Sequence, residues 1–586
     1  RAGRGAGATL RLYFLFGGGG PGVAGAVGGA AFCPAPNAPW AVHMKSQSLI
    51  KGAAVVAAGS LLSKLLGAVY RILLMDALGG RGMGIYQMVF PLYCLLLTLS
   101  ATGIPSALAR MVAERAASGG DGRPVLAAAL PLFAAIGGAG SLAMFAFAPA
   151  FAAVQGEAAA ASAYRMLAPS VLLVAAVSCL RGWFQGHSRF APTAASEVIE
   201  QAVKIAFGLL FVQIYRGDAA RAVAFAALAI TLSEFAALVF LAVCAGGYPR
   251  GSLLVRMRRR TGVIRFAGRG AFVPHVPLFA PFPAAAGKGK SARPRARELL
   301  RAVLPVAVAA GALPLSNLIE SILIVRLVGR YAENATALYG LYAGAATALV
   351  NLPVSVCYGL AAASIPAVSA LRAAGRGREA EERALFALKC TLYLALPAAA
   401  LLFAFPGPVC GLLFRLPEGE MEVLVRLVRL LALSVAPLAA VQTLSACLTG
   451  LGRSKYAAFS VTLACILRLA AEFVLLQFPQ ISVFGAAYAC IGCYLVAFLL
   501  DLYYSIRERK NRIRAGGQAC KFALLAAAAA GAAWPLRAAF PLAPFIAAGL
   551  VYLALSVPFR AFGAEELRFA WRNRHDRNRR TGVQPR

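Results

Sequence analysis

The chain has 586 residues, 60% of them hydrophobic, and a mean hydropathy of +0.72. A water-soluble fold of this length needs far more polar surface, so an ordinary globular enzyme is excluded and a polytopic membrane protein is expected. The formal charge of +35 does not point to nucleic acid, because Lys and Arg fall in short loops between apolar runs, where they set orientation in a bilayer.

Residues 1–43 are rich in Gly, Ala and Pro and read as a non-native or disordered extension rather than a signal peptide, since glycines break their apolar stretch. Met44 then opens the first run. Apolar stretches at 52–74, 86–109, 125–148, 164–181, 194–214, 221–245, 300–325, 338–366, 385–406, 426–449, 457–477, 481–505, 519–536 and 541–559 predict an all-α protein of about fourteen transmembrane helices. The runs are continuous rather than alternating, which excludes a barrel. They divide into an N-lobe at 44–248 with six spans, a basic linker at 249–298, a C-lobe at 299–505 with six spans, a C-terminal pair within 506–560 and a basic tail at 561–586. The linker holds Arg256, Arg258, Arg259, Arg260, Lys288 and Lys290 among frequent Pro and Gly, and reads as poorly ordered.

With the N-terminus in the cytoplasm, the inside segments carry roughly forty Lys and Arg from Lys45 onward and the outside ones about ten, which places both termini in the cytoplasm. These clusters also suit contact with anionic lipids. The twelve cysteines are scattered, and Cys490 and Cys493 form a C-x-x-C without a second pair, so no metal site is expected. Prolines inside the spans, among them Pro91, Pro169, Pro314, Pro353 and Pro437, each remove a backbone hydrogen bond and allow a bend.

The two halves repeat. Arg165-Met-Leu-Ala-Pro-Ser-Val171 in span four matches Arg429-Leu-Leu-Ala-Leu-Ser-Val435 in span ten, and Gly186-His-Ser-Arg-Phe-Ala191 matches Gly452-Arg-Ser-Lys-Tyr-Ala457 in the loops that follow. Six spans separate the copies, so they share an orientation and are related by a pseudo-twofold axis along the membrane normal. Substrate is expected between such lobes near the midplane, with access alternating as one lobe rocks against the other.

Ionisable residues inside spans are costly and mark cavities or partners. Lys64 and Arg71 lie two turns apart on one face of span one; Arg181 ends span four; Glu197, Glu200 and Lys204 share a face of span five; Glu234 sits in span six. The second half has Glu320 in span seven with Arg326 just past its end, the i,i+4 pair Arg468 and Glu472 in span eleven, and Asp501 in span twelve. Lys64, Arg71, Arg181, Lys204, Glu234, Glu320, Arg326 and Arg468 are the candidates for a wet, net basic central cavity. Lys and Arg there would neutralise or grip a phosphate.

The stretches Ser63-Lys64-Leu-Leu-Gly67-Ala-Val-Tyr70-Arg71, Gly82-Met-Gly-Ile-Tyr-Gln-Met88, Ala335-Thr-Ala-Leu-Tyr-Gly340 and Val350-Asn-Leu-Pro353 resemble the stage V sporulation protein B group. That group belongs to the polysaccharide exporter and MurJ-like branch of the multidrug/oligosaccharidyl-lipid/polysaccharide (MOP) superfamily. The resemblance spans about residues 45–560. It implies a MATE-like fold in the bacterial cytoplasmic membrane and translocation of a lipid-linked, undecaprenyl-diphosphate cell-wall or polysaccharide precursor, with lipid II leading. Ser63-Lys64-x-x-Gly67 is similar to the Ser-Arg-x-x-Gly of lipid II flippases, which gives Lys64 the role of that arginine. Arg71 falls one residue from their second arginine, and Leu97 and Thr98 stand where they carry a span-two arginine pair.

A cation-coupled drug exporter of the same superfamily is the alternative, supported by Glu234 and Glu320 and disfavoured by the basic span one. A membrane enzyme is not expected: there is no Asp-x-Asp, no His-Glu-x-x-His, and four histidines in all. The expected partners are a lipid-linked oligosaccharide and membrane lipids. The chain is expected to act as a monomer without a cofactor, coupled to membrane potential or a monovalent cation.

Overall fold

The structure is a computed structural model that describes residues 46–117, 122–246, 294–506, 514–538 and 543–559. The extension at 1–43, nearly all of the linker and the tail lie outside the described residues. The described secondary structure is helical throughout.

In the N-lobe the helices are α1 (Ser46–Ser100), α2 (Ile104–Ala117), α3 (Arg123–Ala146), α4 (Ala148–Gln155), α5 (Ala160–Gly186), α6 (Ala191–Ile214) and α7 (Ala219–Gly246). The C-lobe has α8 (Ala296–Ala310), α9 (Ala312–Val328), α10 (Ala335–Tyr339), a π-helical turn at Gly340–Ala346, α11 (Thr347–Ala373), α12 (Gly377–Ala404), α13 (Pro406–Leu413), α14 (Glu418–Ala432), α15 (Val435–Gly450), α16 (Ser454–Leu475) and α17 (Phe484–Ile506). The C-terminal pair, α18 (Arg514–Ala533) and α19 (Ala543–Ser556), packs on α12 through Phe522, Leu525, Ala529 and Tyr552.

Within the described residues, each of the fourteen sequence-predicted segments falls largely on helix. Among the described residues, nine helices are individually long and apolar enough to cross a bilayer, or ten if the bent pair Glu418–Ala432 and Val435–Gly450 is one span. The lower count has physical causes. Helix α1 runs 55 residues, about 80 Å at 1.5 Å per residue, far more than the ~30 Å of hydrocarbon. It holds spans one and two, joined at Gly79, whose φ of 66° is open to glycine. Span five carries three charged residues, and span seven is split at Gly311 into α8 and α9.

Two breaks trace to proline. Pro314 cannot donate to the Ala310 carbonyl where α8 ends, and Pro437 cannot donate to Leu433 where α14 and α15 bend by 46°. Pro91 and Pro169, by contrast, lie within helix that continues on both sides of them.

The break in span seven divides its loyalties. Leu299 and Val303 of α8 pack with Ile104, Leu108, Phe133, Ala237 and Leu241 of the N-lobe, whereas α9 packs both on α16 of the C-lobe and on α1 of the N-lobe. Helix α9 thus sits at the seam, in contact with both lobes.

The internal repeat is visible in local chemistry. Ser170 Oγ donates to the Leu167 carbonyl at 2.5 Å, and Ser434 Oγ to the Leu431 carbonyl at 2.6 Å. The turn after α5 closes with Arg189 N–H on the Phe184 carbonyl (2.9 Å) around Ser188, at φ 57°. The turn after α15 closes with Arg453 N–H on the Leu448 carbonyl (2.7 Å) around Gly452, at φ 67°. Both are left-handed helix stops. The register that pairs Arg165 with Arg429 also pairs Ser170 with Ser434, Ser188 with Gly452, and Lys204 with Arg468. The Gly186–Gly452 sequence match is thus two residues out of structural register.

Candidate functional site

A cavity of about 450 Å³ lies between the lobes. Ser63, Lys64, Gly67, Ala68, Tyr70, Arg71, Tyr86 and Phe90 of α1 and Gln201 and Lys204 of α6 form the N-lobe wall. Ala348, Asn351, Val354, Ser355 and Tyr358 of α11, with Gln442 of α15, form the other. The Lys64 ammonium sits 3.1 Å from the centroid of the Tyr358 ring, a cation–π contact that joins the two lobes. Polar atoms of the lining, among them Ser63 Oγ, Gln201 Oε1 and Gln442 Oε1, have no hydrogen-bond partner in the protein. Each such group costs about 1–3 kcal/mol if nothing pairs with it, so their concentration here marks a place built for a polar guest or water.

The eight sequence-predicted residues separate into groups. Lys64, Arg71 and Lys204 line the cavity. Arg181 and Glu234 stand within the N-lobe near Lys204: Arg181 donates to Ser196 Oγ at 3.0 Å and pairs with Glu200 at 3.1 Å, and Glu234 interacts electrostatically with Glu200, Arg181 and Lys204. Acids thus back the cationic wall, and the net positive character is smaller than the three lining cations suggest. Glu320 and Arg468 lie away from the cavity, inside the C-lobe. Arg468 pairs with both Glu320 and Glu472, the latter at 2.8 Å, and Tyr342 donates to Glu320 at 2.9 Å. All three charged groups are buried.

Arg326 needs correction. It is not a cavity residue: its side chain is exposed and donates to the Ala153 and Val154 carbonyls at the C-terminal end of α4. A cation there satisfies orphan carbonyls and the negative end of the helix dipole. The neutral lining residues Ser63, Gln201, Asn351, Ser355, Tyr358 and Gln442 were not anticipated. Their signal was available, because Asn351, Ser355 and Tyr358 recur at i, i+4 and i+7 in an otherwise apolar span.

The lobes are fastened together at one end of the bundle. Gln155, nearly fully buried, donates to the Met88 carbonyl (2.8 Å) and to Ser321 Oγ of the C-lobe (3.1 Å), and accepts from Tyr164 (2.6 Å). Thr336 donates to Glu157 at 3.0 Å, the Arg415 N–H donates to Asp76 at 2.9 Å, and Arg326 adds its bonds to α4. Backbones approach closely at the same place: a Cβ on Gly84 would strike the Thr336 carbonyl, and one on Gly340 the Gly80 carbonyl. At the opposite end, where the basic loops lie, Arg453 pairs with Glu381 (3.4 Å) and Ser369 bonds Gly450 (3.2 Å) within the C-lobe, while Arg181 pairs with Glu200 within the N-lobe. Two helical halves bonded to each other at one end, with a polar cavity between them, define a multi-pass membrane protein with the architecture of a transporter.

The comparisons with known proteins agree. A family model described as polysaccharide biosynthesis protein matches residues 49–372, and one described as MatE matches 298–474. The chain belongs to the polysaccharide biosynthesis protein family. It is similar to stage V sporulation protein B of Bacillus subtilis (strain 168), 26% identical over 544 residues that cover 90% of this chain and 98% of that protein. It is also similar to the lipid II flippase MurJ of the same organism, 24% identical over 487 residues, covering 78% and 82%. A solved structure of lipid II flippase MurJ in an inward closed conformation superposes with a TM-score of 0.63 at 13% identity, covering 86% of this chain and 98% of that one.

Proposed function

We propose that this transporter flips a lipid-linked, undecaprenyl-diphosphate cell-wall or polysaccharide precursor, lipid II first among them, across the cytoplasmic membrane by alternating access. The observation that carries this reading is the trio Lys64, Arg71 and Lys204 on one wall of the inter-lobe cavity. Three cations gathered on one cavity wall favour an anionic head group, and similarity to a protein named as a lipid II flippase supports the same substrate class. The end that carries the lobe-to-lobe bonds is read as the outer one and the basic loops as cytoplasmic, following the bias of Lys and Arg. In this orientation both termini are cytoplasmic, and one copy of the chain contains both walls of the path.

A cation-coupled drug exporter is the second reading, favoured by the MatE match over 298–474. Against it, Glu320 is engaged by Arg468 and Tyr342, and no acid lines the cavity among the described residues. The test is reconstitution of the purified chain in vesicles with fluorescent lipid II and a cationic dye side by side, with and without an imposed potential or sodium gradient. Protein-dependent transfer of lipid II and no dye transport is the expected outcome. Dye transport without lipid transfer would sink the flippase reading.

A further inference from the structure

The two walls of the cavity differ in kind. The charged lining residues, Lys64, Arg71 and Lys204, come from α1 and α6 of the N-lobe. The C-lobe contributes neutral hydrogen-bonding groups: Asn351, Ser355 and Tyr358 from one face of α11, and Gln442 from α15. The charged residues Glu320, Arg468 and Glu472 of the C-lobe are turned to one another in a separate cluster. The division is therefore a property of the lining and not of the lobe's composition.

The unpartnered atoms sharpen this. Gln201 Oε1 and Gln442 Oε1 are acceptors on opposite walls, and Ser63 Oγ can accept as well as donate. A bare diphosphate offers acceptors and negative charge, which suits the cations but leaves these acceptors unmatched. Ser63 and Gln201 lie beside the cations, so the contrast between the walls is one of charge: the C-lobe wall of Asn351, Ser355, Tyr358 and Gln442 carries none and suits the O–H and N–H groups of an uncharged moiety next to the anion. A hydroxylated, N-acylated sugar attached to a diphosphate has that polarity. The volume of about 450 Å³ is in the range of sites for a small-molecule-sized group, which fits the diphosphate and the sugar next to it rather than a long glycan. Tyr358, facing Lys64 across the seam, marks where the two chemistries meet.

Resting on the flippase reading above, we propose that the N-lobe wall holds the diphosphate while Asn351, Ser355 and Gln442 of the C-lobe wall select the sugar attached to it. The head group is thus oriented across the lobe interface, and loading the cavity engages both lobes.

The test is equilibrium binding to the full chain in nanodiscs with two probes, undecaprenyl diphosphate and the same lipid bearing an N-acetylated amino sugar. Asn351→Ala with Gln442→Ala should weaken the sugar-bearing probe by about 10- to 100-fold, the scale of two lost hydrogen bonds, and leave the sugar-free probe within about twofold. Ser355→Ala, a gentler change, should show the same selectivity at smaller size. Retained binding of the sugar-free probe also reports an intact fold. Equal weakening of both probes, or of neither, overturns the division of labour. Lys64→Ala with Arg71→Ala should weaken both probes; if both bind unchanged, the anionic head-group reading itself fails, and this proposal with it.

Discussion

Lys64→Ala is expected to slow translocation of a lipid-linked diphosphate sugar by about 10- to 100-fold, the range for losing one charge-assisted contact to phosphate. Two interactions vanish together: the positive charge on the cavity wall and the cation–π contact with Tyr358 at 3.1 Å. Lys64→Arg retains the charge and should keep most of the rate, whereas Lys64→Gln should resemble alanine. The check is a vesicle assay of head-group exposure with matched protein incorporation. An unchanged rate in Lys64→Ala would remove this side chain from the path.

The second large effect is on stability. Arg468→Ala leaves Glu320 and Glu472 facing each other with no cation, both nearly fully buried. Breaking one partner out of a buried ionic cluster costs about 3–5 kcal/mol, so the variant should melt well below the parent in detergent or appear in reduced amount in the membrane. Neutralising the whole cluster, Arg468→Met with Glu320→Gln and Glu472→Gln, should recover much of that loss, because the cost lies in the unpaired charges rather than in the absent pair. Failure of the triple change to recover any stability would show that Arg468 acts through something other than these carboxylates.

How much of this was legible beforehand varies with the kind of interaction. Helix positions were, because an apolar run of about 20 residues has one stable form in a bilayer. The shared face of Lys64 and Arg71 was legible from spacing alone, and both reach the cavity. Helical spacing also exposed the Arg468–Glu472 pair, but Glu320 joins it only because α9 packs on α16, a tertiary fact that no local pattern carries. Arg326 misled for a related reason. A basic residue ending a span looks the same whether it enters a cavity or caps a neighbouring helix, and α4 and its carbonyls could not be placed beforehand. The first boundary was legible: the gap at 75–85 between the first two apolar runs contains Gly79, where a glycine at positive φ joins the two spans without a longer loop. The neutral wall is less legible because an uncharged polar side chain costs far less in a span than a charge and so marks a cavity more weakly, although Asn351, Ser355 and Tyr358 stand out by period.

The repeat gives Lys204 and Arg468 equivalent places on spans five and eleven, yet their surroundings have diverged. Lys204 faces the shared cavity, while Arg468 is held by two carboxylates inside its lobe. The duplicated scaffold thus supplies one cation to the path and one to the lobe's interior, which accounts for the concentration of lining charge on a single wall.

The central claim is that the head group passes between lobes that must part at the end now fastened by Gln155 and Ser321. The most direct test places cysteines at both positions and joins them with a short bifunctional thiol reagent that reduction can reverse. Flipping in vesicles should stop when the linker bridges the pair and return on reduction, while the same reagent leaves the parent chain and each single-cysteine variant active. Undiminished flipping with the two lobes tied together would contradict the account.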